Sequence, residues 1–160
     1  MRNVTLARVD DRLIHGQVVV EWIPTYDINY LMIIDDATAR NKLIRRVLNS
    51  SAPSNLEFHI YSVKKAAEVL MESAANPKEK IMILTKSTNV FPELMKAGCE
   101  FDAVNLGGMG MHEQRTPLFR NISCDEEELA AIRYMMDAGV EVYYQLVPEQ
   151  KRYEAADFIK

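Results

Sequence analysis

Side chains that can do acid, base or anion-binding chemistry are concentrated in one short segment near the start of the chain. The segment VDDRLIHGQ places Asp10, Asp11, Arg12 and His15 directly after an apolar run. An arginine offers a planar fork that suits phosphate or carboxylate oxygens. An aspartate that accepts a hydrogen bond from one imidazole nitrogen fixes the tautomer, and the other nitrogen is then free as a nucleophile. The segment predicts an anion-handling site around His15, with either aspartate as its partner.

The same residues also fit a purely structural interpretation. His15 could be a capping or packing residue at a helix start, the aspartates could be turn residues, and Arg12 could be their ion-pair partner. Gly16 could let the backbone approach a ligand closely. Neither G-x-G-x-x-G nor G-x-x-x-x-G-K-[ST] occurs here, so the glycines do not indicate a nucleotide site. Residue types and spacing alone leave both interpretations open.

A second segment with chemical potential is NLGGMGMHEQRTPLF, residues 105–119. Its glycines, including Gly107 and Gly108, could bring the backbone close to a bound anion such as a phosphoryl group, or could frame a docking surface. Arg115 supplies a positive charge, whereas His112 is better explained as a solvated loop residue. We therefore expect residues 107–117 to border the same site as residues 10–16.

Both segments must be positioned by the alternating strands and helices that the apolar pattern predicts. Apolar runs of strand length follow one another in the order NVTLARV, INYLMIID, LEFHIYS, KIMILT, FDAVNL, PLFRNISC and VEVYYQLV. Amphipathic segments between them predict helices over residues 16–25, 37–50, 63–75, 88–97, about 125–139 and 148–158. This alternation is typical of an α/β fold, with a mostly parallel central sheet of about seven strands and helices on both faces. Functional loops in such sheets lie outside the carboxyl ends of the strands, where residues 10–16 and 107–117 would be.

Composition favours one ordinary soluble domain spanning residues 1–160. The formal net charge is -4 and the pI is about 5.4, so no overall basic field supports nucleic-acid binding. Cys99 and Cys124 are too few for a disulfide framework and have no metal-ligand spacing, so we expect buried thiols. No apolar run predicts a membrane-spanning helix or a signal peptide. We expect a cytoplasmic protein that reaches a membrane only by docking to another protein.

The segment LARVDDRLIHGQVVVEW resembles the active-site segment of the B components (IIB) of sugar phosphotransferase systems, in the mannose/fructose/sorbose family. DDATARNKLIRRVLNSSAP and VNLGGMG resemble further landmarks of that family, so the resemblance covers essentially the whole chain. It implies that His15 accepts a phosphoryl group from a phosphohistidine on the A component (IIA). His15 would then pass the group to a sugar entering through the membrane components IIC and IID, with no metal or other cofactor.

The resemblance also implies roles for the neighbours of His15. Arg12 would stabilise the phosphoryl group, and Asp10, Gly16 and Gln17 would shape the loop. Family members often carry a Gly-Lys-Lys-like stretch where this chain has HEQRT, so Arg115 could replace a lysine charge.

Two other function classes stay open from the residues. A sugar-phosphate isomerase or hydrolase could use Asp10 or Asp11 with His15 as acid and base, but it needs an enclosed pocket, and the short loops are poor lids. A non-catalytic regulatory α/β domain would need His15 only at a helix start. The sequence indicates neither the sugar nor the oligomeric state.

Overall fold

The centre of the protein is a seven-stranded sheet. The computed structural model describes residues 1–74 and 76–159. In spatial order the strands are β3 (Glu57–Tyr61), β2 (Tyr30–Ile34), β4 (Ile81–Thr85), β1 (Val4–Asp10), β5 (Ala103–Gly108), β8 (Glu141–Tyr144) and β9 (Tyr153–Glu154). All neighbouring pairs are parallel except β8 and β9, which are antiparallel. Every residue of β2 and β4 is buried, as expected of strands covered on both faces.

Helices link the strands and cover both faces of the sheet. The first is π-helical over Val18–Trp22 and continues as α1 (Ile23–Thr25). The others are α2 (Asp36–Arg40), α3 (Lys42–Ser51), α4 (Val63–Met71), α5 (Val90–Lys96), α6 (Glu126–Asp137) and α7 (Ala155–Phe158). One apolar core joins the sheet to α4, α5, α6 and α7, and a second joins it to the first helix and α3. The predicted α/β class, with helices on both faces, is confirmed.

Strand order brings the two suspected loops together. From β1 the chain passes to β2 and β3 on one side of β1, returns through β4, and then crosses to β5 on the other side. The carboxyl end of β1 therefore lies where the direction of winding changes, which is where open α/β sheets bind ligands. Asp10 is in register with Gly108, so the loops that follow β1 and β5 leave the sheet side by side.

The run PLFRNISC is not a strand of the main sheet, contrary to the prediction. It forms a separate antiparallel hairpin of β6 (Thr116–Phe119) and β7 (Ile122–Cys124). Arg120 lies in the turn with φ of 46°, a left-handed conformation that reverses the chain. The seventh strand of the sheet is instead the short antiparallel β9, whose sequence was predicted as part of a helix over 148–158. Only Ala155–Phe158 of that range is helical.

Two other predicted helices differ in extent. The helix predicted over 37–50 is divided at Asn41, whose backbone is extended and whose side chain caps α3. The helix predicted over 63–75 ends at Met71, and residue 75 lies outside the described residues. Asp125 caps α6, with a complete capping box to Glu128.

Two sequence-based expectations concern the interior and the membrane. Cys99 and Cys124 are both buried as free thiols, and burial raises the pKa of Cys124 to about 12. Within residues 1–74 and 76–159, every helix is too short or too polar to cross a bilayer.

Candidate active site

The loop after β1 turns sharply because Leu13 adopts a left-handed backbone conformation. Its φ is 56°, and its N–H donates to the carbonyl oxygen of Asp10 at 2.9 Å. A non-glycine residue pays about 1 kcal/mol for this conformation. Leu13 is nevertheless buried in the core that holds the first helix, and burial of a leucine side chain contributes more than that cost. The turn is therefore fixed by packing, and it redirects the chain toward His15.

His15 lies immediately before the first helical residue, Gly16, as the sequence predicts. Its Nε2 is 2.7 Å from Oδ2 of Asp10, whose side chain is fully buried. The carboxylate can only accept a hydrogen bond, so the proton of a neutral imidazole lies on Nε2. Among the described residues nothing hydrogen-bonds Nδ1, which keeps its lone pair. With 12% of its side chain exposed, the ring is less accessible than a loop position alone would suggest.

Both carboxylate oxygens of Asp10 accept further hydrogen bonds. Nη2 of Arg8 donates to Oδ2 at 3.1 Å, and the backbone N–H of Arg12 donates to Oδ1 at 3.1 Å. Because Oδ2 also receives His15, the carboxylate links a buried arginine to the histidine. This arrangement orients the imidazole and stabilises positive charge that develops on it.

Arg8 is completely buried and is held by groups that are distant in sequence. Its Nη1 donates to the side-chain oxygen of Asn105 and to the carbonyl oxygen of Gln145 at 3.1 Å, and its Nη2 donates to that of Leu146 at 3.1 Å. Its guanidinium carbon lies 4.7 Å from the centre of the Trp22 ring, a cation–π contact. Burial lowers the pKa of Arg8, although the neighbouring Asp10 carboxylate opposes that effect.

Two glycines of β5 make room for these charged groups. A Cβ at Gly107 would lie 2.2 Å from the guanidinium carbon of Arg8, closer than two such atoms can approach. A Cβ at Gly108 would lie 3.3 Å from Oδ1 of Asp10. Gly107 and Gly108 therefore lie against Arg8 and Asp10, and the absence of side chains there makes room for both charged groups.

Arg12 extends into solvent beside this cluster. About 60% of its side chain is exposed, and its Nε is 4.0 Å from Oδ1 of Asp10. Its Nη2 donates to the side-chain oxygen of Gln17 at 3.2 Å. Gly16 is exposed, and a Cβ there would meet no heavy atom within 4 Å, so no neighbour in this structure requires a glycine.

Arg115 is also near the first loop, but its guanidinium is enclosed. It makes two hydrogen bonds to Glu128, at 2.8 and 2.7 Å, and one to Oδ2 of Asp11 at 3.0 Å. Asp11 also accepts from the backbone N–H of Gly110 at 2.8 Å. Asp11 thus faces the second loop, whereas Asp10 faces His15. His112 is exposed at the surface of that loop.

The sequence did not reveal the buried polar residues that hold the site residues in place. They are Arg8, Asn105, Gln145 and Glu128, all of them buried. Arg8 gave a local signal, because an arginine within the apolar run NVTLARV needs a buried partner. The other three are ordinary polar residues until the fold places them against Arg8 and Arg115.

The described residues contain no group of three or more histidine, cysteine, aspartate or glutamate side chains that could hold a metal ion. A cavity of 560 Å³ lies at the amino ends of β1 and β5, where Arg2, Thr5 and Asp102 line it. His15 lies at the opposite, carboxyl end of these strands.

The arrangement at His15 is that of an oriented imidazole nucleophile with an exposed arginine beside it.

Comparisons with known proteins agree on one family. The model of the sorbose-subfamily IIB component of the phosphotransferase system (PTS) matches residues 4–160. The sorbose-specific EIIB component of Lacticaseibacillus casei is 31% identical over 147 residues, covering 90% of this chain and 87% of that protein. The fructose-specific EIIB component of Bacillus subtilis is 29% identical over 160 residues, covering 100% and 96%.

Solved structures show the same fold. The IIBSor domain of the sorbose permease from Klebsiella pneumoniae superposes with a TM-score of 0.89 at 27% identity, covering 99% of this chain and 96% of that one. The N-acetylgalactosamine-specific IIB component 1 from Escherichia coli gives 0.85 at 27% identity, covering 94% and 97%. The resemblance seen in the sequence is confirmed: this chain belongs to the sorbose subfamily of PTS IIB components, a family of phosphotransferases in sugar uptake.

Proposed function

We propose that this chain is a phosphoryl carrier whose covalent site is Nδ1 of His15. His15 accepts the phosphoryl group from a phosphohistidine of an A component and passes it to a sugar entering through the membrane components IIC and IID. The observation that carries the proposal is the 2.7 Å contact between Nε2 of His15 and Asp10. That contact commits one ring nitrogen to a buried carboxylate, and the other nitrogen keeps its lone pair for attack.

The chemistry needs no metal or redox partner. The lone pair on Nδ1 forms a bond to phosphorus while the phosphorus–nitrogen bond of the donor breaks and returns its electron pair to the donor ring. The acceptor ring becomes positive because Nε2 keeps its proton, and the Asp10 carboxylate stabilises that charge. In the second step a sugar hydroxyl attacks phosphorus and gives its proton to a base or to solvent, and the Nδ1 lone pair is restored.

Neighbouring groups can stabilise the phosphoryl oxygens without forming bonds to phosphorus. Arg12 lies three residues before His15, and its guanidinium is exposed. It can therefore contact the oxygens of a phosphoryl group at His15 from the solvent side. The free N–H groups of the first helical turn, which starts at Gly16, add partial positive charge. Phosphoryl transfer depends mainly on such positioning and charge stabilisation. Gln17 would position Arg12 through their hydrogen bond.

The partners are inferred from the family. The mannose-specific EIIAB component of Escherichia coli is 28% identical to this chain, over 98% of the chain but only 48% of that protein. Its name combines an A and a B component, which supports an A component as the donor here. We propose a cytoplasmic location and treat residues 1–160 as a single IIB domain. Relatives are named for sorbose, fructose, mannose and N-acetylgalactosamine, so no particular sugar is favoured.

Phosphoryl uptake by His15 variants tests the proposal. The purified chain is incubated with labelled phosphoenolpyruvate, the general phosphotransferase proteins and the A component of its own transport system. Wild-type protein should take up one acid-labile, base-stable phosphoryl group, and His15→Ala should take up none. His59→Ala and His112→Ala are matched controls that should label as wild type. Full labelling of His15→Ala would show that the assignment is wrong.

A further inference from the structure

One arginine side chain joins the second loop to both the first loop and the body of the protein. Arg115 makes four side-chain hydrogen bonds: two to Glu128, one to Asp11 at 3.0 Å and one to the carbonyl oxygen of Gly110 at 2.9 Å. A guanidinium has five N–H donors, so most of its capacity is used within the protein. Arg115 is therefore poorly suited to bind a phosphoryl group directly.

The Glu128 end of this arrangement is rigidly anchored. Glu128 is buried in the first turn of α6 and completes the capping box with Asp125. Its Oε2 accepts from the hydroxyl of Ser87 at 2.9 Å, and its carbonyl oxygen accepts from the hydroxyl of Thr88 at 2.9 Å. These bonds connect Glu128 to the loop after β4, so Arg115 is fixed to a part of the fold that does not depend on the second loop.

The other end holds an exposed tip. The backbone N–H of Arg115 donates to the carbonyl oxygen of His112 at 3.0 Å, and its side chain bonds Gly110. Residues 110–115 are thus closed into a compact loop by one residue. Met111, with 61% of its surface exposed, lies at this tip. Gly110 also donates to Asp11, the neighbour of the aspartate that holds His15.

We infer that Arg115 is a positioning residue that holds the 110–115 tip in the shape in which the phosphoryl donor protein contacts it. The inference rests on the proposed function. Asp10 contacts His15, and the next residue, Asp11, is hydrogen-bonded to Gly110 and Arg115. We therefore expect a protein that delivers a phosphoryl group to His15 to contact the 110–115 tip as well. A loop already held in its bound shape loses less conformational entropy on association, so the clamp strengthens docking.

Kinetics with a large and a small phosphoryl donor test this role. Arg115→Lys keeps the charge but cannot reproduce the paired bonds to Glu128 and the bond to Asp11. With the phosphorylated A component as donor, we expect KM to rise about tenfold, while kcat changes less than about threefold. Phosphoramidate is too small to contact the tip, so the effect on its reaction with His15 should be several-fold smaller. Arg120→Lys, at an exposed arginine in the turn of the β6–β7 hairpin, is the matched control and should behave as wild type.

A second variant tests the tip without altering the clamp. Met111→Ala should also raise KM for the phosphorylated A component. Met71→Ala, at an exposed methionine that ends α4, should not. Circular dichroism shows whether each variant is folded; if Arg115→Lys is not, an unchanged KM for Met111→Ala still overturns the inference, because the donor then does not use the tip. An unchanged KM, or an equal loss with both donors, would overturn the inference. Failure of wild-type His15 to accept phosphate from either donor would instead overturn the proposed function.

Discussion

Arg8 occupies the space into which a side chain at residue 107 would project. A Cβ there would lie 2.2 Å from its guanidinium carbon, and Arg8 cannot move without losing its bonds to Asp10, Asn105 and the backbone. We therefore expect Gly107→Ala to lower the free energy of unfolding by about 3 kcal/mol. Urea denaturation at neutral pH measures the change.

Gly16→Ala is the matched control for that substitution. No heavy atom lies within 4 Å of a Cβ at Gly16, and the residue is exposed in the first helical turn. Its free energy of unfolding should stay within about 0.5 kcal/mol of wild type. Equal stability of the two variants would contradict the role assigned to Gly107.

Asp10 should matter for the rate of phosphoryl transfer through the charge it places against His15. In Asp10→Asn a neutral amide faces Nε2, so the ring tautomer is no longer fixed and its developing charge is less stabilised. We expect the rate of labelling to fall about a hundredfold. Rapid-quench measurement of phosphohistidine gives the rate, and 15N NMR of the imidazole reports the tautomer. A rate within threefold of wild type, with the Nε2–H tautomer retained, would argue against this role.

At the scale of elements, the break between α2 and α3 shows how one side chain divides a helical pattern. The apolar spacing of residues 37–50 is continuous, but Asn41 has extended backbone angles and accepts a hydrogen bond from the N–H of Ile44 at 3.0 Å. Asparagine is among the preferred N-cap residues because its side chain replaces a missing helical bond. Periodicity detects which face is buried, and it does not detect such a cap.

Asn41→Ala should lower the free energy of unfolding by about 1 kcal/mol because α3 loses its cap. Asn49→Ala is the control, since Asn49 is exposed within the same helix and only donates back to the carbonyl oxygen of Arg45. Its stability should change by a few tenths of a kcal/mol at most. Urea denaturation of both variants under the same conditions measures the two free energies of unfolding. The expectation fails if the two variants are equally stable.

At the scale of the whole molecule, part of the acid sensitivity should come from Glu128. Burial acts to raise its pKa, but the hydrogen bonds from Arg115, the Asp125 backbone and Ser87 outweigh burial, so the pKa is below the ordinary value. A carboxylate of this kind contributes stability that is present above its unfolded pKa of about 4.3 and is lost as pH falls through the folded pKa.

Glu128→Gln should therefore lose less stability than wild type when the pH falls from about 5 to about 3. Urea denaturation at a series of pH values measures the free energy of unfolding across this range. Glu126→Gln, an exposed acid in the same helical turn, should follow the wild-type curve. Parallel curves for Glu128→Gln and wild type would contradict the coupling of Glu128 to Arg115.

Local patterns in the sequence were sufficient for the outline of the fold and for the location of the candidate site. Buried parallel strands require nearly continuous apolar runs, and β2 and β4 show them clearly. His15 and Asp10 lie close together in the chain, so their contact follows from a single turn. The hairpin of β6 and β7 was predicted wrongly because an apolar run does not specify its strand partner.

Only the tertiary structure decided which aspartate serves His15. Asp10 ends β1 and faces Arg8, whose other hydrogen-bond partners lie 97 or more residues away in Asn105, Gln145 and Leu146. Asp11 turns toward Gly110 and Arg115. The sequence by itself determined the histidine, the aspartates and the edge of the sheet where they meet. Their division of roles depends on β5 lying beside β1, a long-range pairing that no local pattern encodes.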